Sequence, residues 1–264
     1  MKFLNKFLDL LFPEKYSCNL CGKELKSEAP SGLCDECENT LKRNDKNKCE
    51  KCSSPITDES HYCLNCQNLT RHFDRAYSVF VYEGGAKRII LNLKLRNEKY
   101  LIKTMVHFMF NDFISNNYPA DILVSVPMFY KKLKRRGFNQ SELLAKSLAE
   151  KLNIEYCDCL VKVKDTVGQH ELGRTERLTN VSDVFAVTDK HLVNDKAVVI
   201  IDDTFTTGST VSEIAKELYK AGAKSVNVLC FAATKIANLN ENIEDELKIE
   251  KKFGKRIKKK KAAV

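Results

Sequence analysis

The sequence predicts an α/β domain, a parallel sheet flanked by helices, preceded by a small cysteine-rich module. Three observations predict it. Residues 198–201, Val-Val-Ile-Ile, are a short β-branched run halted by Asp202, Asp203 and a hydroxyl-rich turn, the pattern of a strand buried on both faces. Runs of this kind alternate with amphipathic helical stretches between residues 76 and 233, as βαβ units require. Eight of the eleven cysteines fall in CxxC pairs within the first 66 residues, a spacing that suits metal.

With 264 residues the chain can bury a substantial core, enough for one medium domain and a small one. No apolar run reaches membrane-spanning length. Residues 1–15 carry Phe3, Leu4, Phe7, Leu8 and Leu11 but are broken by Asn5, Lys6 and Asp9, and no small-residue cleavage site follows. This reads as a short amphipathic helix rather than a secretory signal. A cytoplasmic location is expected, with membrane-surface contact through that helix as the alternative. Residues 16–70 are set apart as the cysteine module, 71–236 as the α/β domain and 237–264 as a charged, disordered tail.

The net charge of +9 belongs to that tail. Lys251, Lys252, Lys255, Arg256, Lys258, Lys259, Lys260 and Lys261 supply eight positive charges with no acid among them, leaving +1 for the rest of the chain. Such a tail is either a solvated arm or a tether for the phosphate backbone of single-stranded DNA.

The cysteine pairs are Cys18/Cys21, Cys34/Cys37, Cys49/Cys52 and Cys63/Cys66, separated by 12, 11 and 10 residues. Thiolates two residues apart on a tight knuckle grip one tetrahedral ion, and two knuckles complete a four-sulfur shell. The array therefore predicts two zinc ribbons holding two Zn²⁺ ions, with a disulfide framework as the alternative in an oxidising compartment. Sequential ligation is the simplest pairing, although the spacing also permits interleaving. His61 is a bystander beside a full set of thiolates. About fifty residues poor in large apolar side chains need such a staple to fold. Lys42, Arg43, Lys46, Lys48 and Lys51 make the middle of the module basic, which keeps contact with DNA open.

Residues 76–82 predict the first strand, turned at Gly84-Gly85, with helices at about 86–95 and 99–116. His107 sits among apolar residues as a core histidine. Residues 121–127, Asp-Ile-Leu-Val-Ser-Val-Pro, predict a second strand stopped by proline. A loop crowded with Lys131, Lys132, Lys134, Arg135 and Arg136 follows, and an amphipathic helix runs on from Ser141. On the same strand-end edge as Asp202 and Asp203, Lys131, Arg135 and Arg136 offer cations to a group carrying several negative charges. A solvated basic surface is the alternative. Cys157, Cys159 and Cys230 form no CxxC pair and read as packing thiols.

The strand at 198–201 leads through Thr206, Thr207, Gly208, Ser209 and Thr210 into a helix with Val211, Ile214, Ala215 and Leu218 on one face, ending at Gly222. Ser209 or Thr210 is the expected cap, with Glu213 completing a capping box. A strand turning into a helix through small residues gathers unpaired N–H groups and the positive end of a helix dipole, a seat for phosphate. Two acids beside that seat suit the hydroxyls of a sugar phosphate, while a polyphosphate would need a cation between. The Walker pattern and GxGxxG are both absent here.

These thirteen positions resemble the loop of type I phosphoribosyltransferases that binds phosphoribosyl pyrophosphate (PRPP). Thr204 and Phe205 stand where that family usually has aliphatic residues. The strand ending in Val-Pro, the basic stretch, Arg-Gly-Phe-Asn-Gln and the Leu/Ala-rich helix resemble the competence-associated ComF family, in which a zinc module precedes a phosphoribosyltransferase domain. Gln169, Leu172, Arg177, Asn180 and Phe185 match that family's Q-x-x-L, E-R-x-x-N and F pattern, and the likeness spans about residues 8–233. Lys-Leu-Arg-Asn-Glu-Lys-Tyr at 94–100 departs from it, and only Lys94 carries over.

The resemblance implies that Asp202 and Asp203 accept the ribose hydroxyls with Mg²⁺ bridging ribose and pyrophosphate. Residues 206–210 would hold the 5′-phosphate, Lys131, Arg135 and Arg136 would meet the departing pyrophosphate, and Gln169, Arg177 and Asn180 would reach the site as a mobile loop at 162–180 closes, with pairing to nearby acids on a surface loop as the alternative for Arg177. No base-reading segment is recognisable. Three classes follow: handling of single-stranded DNA in natural transformation, phosphoribosyl transfer to a nucleobase, and PRPP sensing by binding alone. The resemblance favours the first, with DNA-uptake helicase or channel proteins as partners; a homodimer fits the fold.

Overall fold

The computed structural model describes residues 16–56, 60–163 and 184–235. The amphipathic stretch at 1–15, the segment holding Gln169, Arg177 and Asn180, and the basic tail lie outside the described residues.

Five strands form one sheet, parallel throughout, in the order β1 (Arg75–Val81), β7 (Ser225–Ala233), β6 (Ala197–Phe205), β2 (Ile122–Ser125), β3 (Glu155–Tyr156). The parallel arrangement follows from the βαβ connections, which bring each chain segment back over a helix before the next strand. Strand β6 is central, and alternation along it divides the molecule into two cores. Val199 and Ile201 face α3 (Gly84–Arg96), α4 (Leu101–Asn116) and α6 (Gln140–Leu152). Val198 and Ile200 face α7 (Ser209–Lys220) on the other side. All four are fully buried, each contributing roughly 1.5–3 kcal/mol of transfer free energy. A two-stranded antiparallel pair, β4 (Leu160–Lys162) with β5 (Phe185–Val187), stands beside the main sheet.

Most elements fall within two residues of the sequence reading, and two differ. β6 runs four residues past Ile201 to Phe205, because Thr204 and Phe205 pair with Ala232 and Ala233 of β7. The basic stretch is a short helix, α5 (Tyr130–Arg136), rather than a loop, closed by Gly137 at φ 83°. A run of Lys, Leu and Arg favours that helix, and glycine provides the left-handed cap that ends it.

The cysteine module contributes two one-turn helices, α1 (Asp35–Glu38) and α2 (Leu64–Asn68). Its buried residues join the two cores of the sheet domain. Cys18, Leu20, Leu33, Cys34, Cys37 and Leu41 pack with Phe80, Ile89 and Met105, whereas Cys49, Cys52 and Cys63 pack with Phe73, Phe205 and Val211. No described helix is long and apolar enough to cross a membrane.

Candidate functional site

The cysteines gather sequentially, Cys18, Cys21, Cys34 and Cys37 in one cluster and Cys49, Cys52, Cys63 and Cys66 in the other, each with its sulfurs within 4.8 Å of one another. A tetrahedron with Zn–S bonds of about 2.3 Å has edges of about 3.8 Å. The Cys21–Cys34 and Cys52–Cys63 sulfur pairs, at 3.8 and 3.6 Å, meet that requirement. Two Zn²⁺ ions therefore fit, one on each cluster. His61 is a bystander, its Nδ1 2.7 Å from Glu50.

The second constellation lies where β6 meets the first turn of α6. Asn139 caps α6 by accepting from Ser141 N at 3.2 Å, and its amide donates to Val126 O at 3.0 Å, fixing the helix to the end of β2. This aims the next two side chains at the acids. Gln140 Nε2 donates to Asp203 Oδ1 at 3.0 Å, and Ser141 Oγ donates to Asp202 Oδ1 at 2.5 Å. From α3, Lys94 Nζ reaches Asp203 Oδ2 at 2.6 Å, and Thr204 Oγ1 donates to the same oxygen at 2.7 Å. Arg136, at the end of α5, donates to Gln140 Oε1 at 2.7 Å. A continuous network thus joins the cationic helix to Asp203.

The two acids are not equivalent in burial or in hydrogen bonding. Asp203 follows Val199 and Ile201 on one parity of the strand and is only 2% exposed, both oxygens engaged. Asp202 is half-buried, and Ser141 and the Asp203 N–H both bond its Oδ1, leaving Oδ2 without a described partner. Their proton affinities diverge accordingly. Burial, then the neighbouring Asp203 charge, raises Asp202. Burial also opposes ionisation of Asp203, but the Lys94 ammonium overrides it and holds that carboxyl low. Lys94 thus places a buried positive charge directly against the acid pair.

Beyond the acids, Thr206 and Thr207 turn the chain into α7 with Gly208 at φ 74°. A Cβ at Gly208 would lie 2.4 Å from the Phe205 ring, so both backbone and packing require glycine. The expected capping box is absent. Gly208 is the cap and has no side chain to bond, Thr207 Oγ1 accepts from Ser209 N at 3.4 Å, and Glu213 pairs with Lys216 at 3.2 Å instead. Thr207 Oγ1 lies 3.1 Å from Ser209 Oγ. Ser209 opens the helix and Thr210 is its second residue. Of the three basic candidates, Arg136 is drawn into the network while Lys131 and Arg135 lie exposed along α5.

The motif Arg-Gly-Phe-Asn-Gln is thereby explained: its Asn caps, its Gln holds an acid, and Phe138 is buried beneath Lys99, 4.9 Å from the ring. Gln140 and Ser141 carry no chemical signature in sequence. Lys94 is one lysine in a helix until the fold sets it against Asp203.

A parallel sheet with twin acids and a small-residue turn at the carboxyl end of its central strand, behind a two-cluster cysteine module, defines the class as a phosphoribosyltransferase-type domain carrying a double zinc ribbon. Family models agree: the double zinc ribbon domain matches residues 7–67 and the phosphoribosyl transferase domain residues 139–260. DNA utilization protein YhgH of Escherichia coli K12 is 30% identical over 209 residues, 77% of this chain and 91% of that protein. Competence protein F of Haemophilus influenzae is 27% identical over 76% of this chain and 90% of its own length. For competence protein ComFC of Streptococcus pneumoniae the values are 28%, 79% and 96%. The chain belongs to this ComF family.

Proposed function

We propose that this chain binds PRPP with Mg²⁺ at residues 202–210 and uses that site in the handling of single-stranded DNA during DNA uptake. One observation carries the reading: the half-buried Asp202, with an oxygen to spare, stands on the strand that runs directly into the open N-terminus of α7. That pairing suits a ribose hydroxyl and a 5′-phosphate on one molecule. In this reading the N–H groups and hydroxyls of Thr206, Thr207, Gly208, Ser209 and Thr210 hold the phosphate. Asp202 accepts a ribose hydroxyl, and Asp203 serves by holding Lys94 at the site. Arg136, with Lys131 and Arg135 behind it, faces the pyrophosphate. Mg²⁺, when bound with PRPP, neutralises pyrophosphate charge. Arg177 remains part of the reading as a closing cation. If transfer occurs, negative charge grows on pyrophosphate as the C1′–O bond lengthens, and these cations stabilise it more in the transition state than before it.

The names of the relatives, DNA utilization and competence proteins, support the DNA side. So does α5, whose outer face presents Tyr130, 63% exposed, among Lys131, Lys132, Lys134 and Arg135. Aromatic rings interleaved with cations are the surface on which single strands stack and neutralise their phosphates. The cations of the basic tail and of the ribbon add further positive charge for the same phosphates in this reading.

Calorimetry with PRPP and Mg²⁺ tests the core claim. Wild-type protein should bind, and Asp202→Asn should weaken binding about tenfold or more. Equal affinity in the two would remove the ribose from the site.

A further inference from the structure

The short segment that follows the second cysteine cluster runs against the phosphate cradle and the residues flanking it, with three consecutive contacts from Arg71, His72 and Phe73. Five residues past Cys66, Arg71 Nη2 donates to Thr207 O at 2.6 Å. His72 N donates to Ser212 Oγ, in the first turn of α7, at 3.1 Å. Phe73 is 1% exposed and meets Phe205 edge-on, 6.1 Å between centroids at 87°. Phe205 is the ring lying 2.4 Å from where a Cβ of Gly208 would be, so the floor of the turn is shaped by a ring that Phe73 holds. Behind Phe73 stands the other knuckle. Lys51, between Cys49 and Cys52, has its ammonium 5.8 Å from the Phe73 ring, and Lys51 O accepts from Ala76 N at 2.9 Å.

Arg71 adds charge as well as contact. Its Nε is buried with no partner among the described residues, although a guanidinium offers five donors. One of those donors already holds the carbonyl of Thr207. A fixed positive charge therefore sits at a turn whose own donors are all neutral. The first cysteine cluster makes no comparable approach, since its residues pack with Phe80, Ile89 and Met105 on the opposite face of the sheet.

We propose that Arg71 and Phe73 are positioning residues through which the second cysteine site shapes the phosphate cradle, so that metal at Cys49, Cys52, Cys63 and Cys66 and a phosphorylated ligand at 206–210 bind with positive coupling. The inference rests on the reading of 206–210 as a phosphate seat. Without metal, α2 loses the anchor for Cys63 and Cys66, and the segment carrying Arg71 is no longer held against Thr207. Coupling of this kind is reciprocal, so the ligand must retain the metal by the factor by which the metal tightens the ligand.

The test uses the full zinc-loaded chain with PRPP and Mg²⁺ as the probe. Calorimetry gives ligand affinity, and transfer of zinc to a colorimetric chelator gives release from each cluster. Arg71→Gln should bind the probe about tenfold more weakly at unchanged zinc content, with Arg71→Lys recovering part of the loss. Saturating PRPP should slow release from the second cluster about tenfold in wild type, leave the first unchanged, and lose its effect in Arg71→Gln. Cys21→Ser, which opens the first cluster, should retain this protection. Wild-type affinity in Arg71→Gln, or zinc release indifferent to PRPP, overturns the coupling while the seat stands. Absence of any PRPP binding by the wild-type chain overturns both.

Discussion

Lys94 and Asp203 form an ion pair with side chains only 16% and 3% exposed, and a buried pair of this kind matters most when half of it is removed. Lys94→Met should destabilise the zinc-loaded protein by roughly 3–5 kcal/mol in urea unfolding, because Asp203 is left buried with only Gln140 and Thr204. Adding Asp203→Asn should recover most of that; a single variant as stable as wild type would show that the pair contributes little. Asp202 behaves oppositely. Burial first and the Asp203 charge second raise its pKa to about 7. A carboxyl raised by folding favours the folded state below its unfolded value of about 3.9 and progressively loses that contribution as pH rises through the folded value. Ligand binding that needs the ionised form follows the reverse course. The PRPP affinity of wild type relative to Asp202→Asn should therefore rise about tenfold between pH 6 and pH 8. A ratio flat across that window would mean that Asp202 is already ionised or takes no part.

Elements differ in how far their sequence reveals them. β6 and α7 were legible because a β-branched run and a 3.6-residue period are strong local signals. The tail of β6 was not, since Thr204 and Phe205 have strand structure only by pairing with Ala232 and Ala233. Nor was the cap of α7, where glycine stands in place of a side-chain acceptor. Helix α5 carries a prediction at this scale. Tyr130→Ala and Lys134→Gln together should weaken binding of a fluorescent single-stranded oligonucleotide about tenfold and reduce its salt dependence, with PRPP affinity unchanged. Equal loss of binding to anionic lipid vesicles would instead mark α5 as a membrane-contact element.

At the scale of the molecule, the zinc module is part of the fold rather than an appendage. Each cysteine cluster packs into one of the two cores, and Asn44 ties Ser53 to Ser78 of β1 through 2.6 Å bonds. Chelation should therefore reach well beyond the ribbons. Removing both ions should lower Tm by roughly 10 °C or more and speed amide exchange in β1, the edge strand against which the module lies. A melting curve unmoved by complete zinc removal would show that packing alone holds the module in place.

The amino-acid sequence by itself determined the metal sites, the α/β architecture and the place of the candidate site, because each rests on local spacing: two residues between thiols, alternation along a strand, acids followed by a small-residue turn. Tertiary structure alone decided that Asp202 and Asp203 have different surroundings, that Lys94 and Gln140 bond Asp203 while Ser141 bonds Asp202, and that Arg71 reaches Thr207. Those pairings join residues 61 to 136 positions apart in the chain. Their energy comes from burial and charge created only when the sheet closes, so no local pattern encodes them.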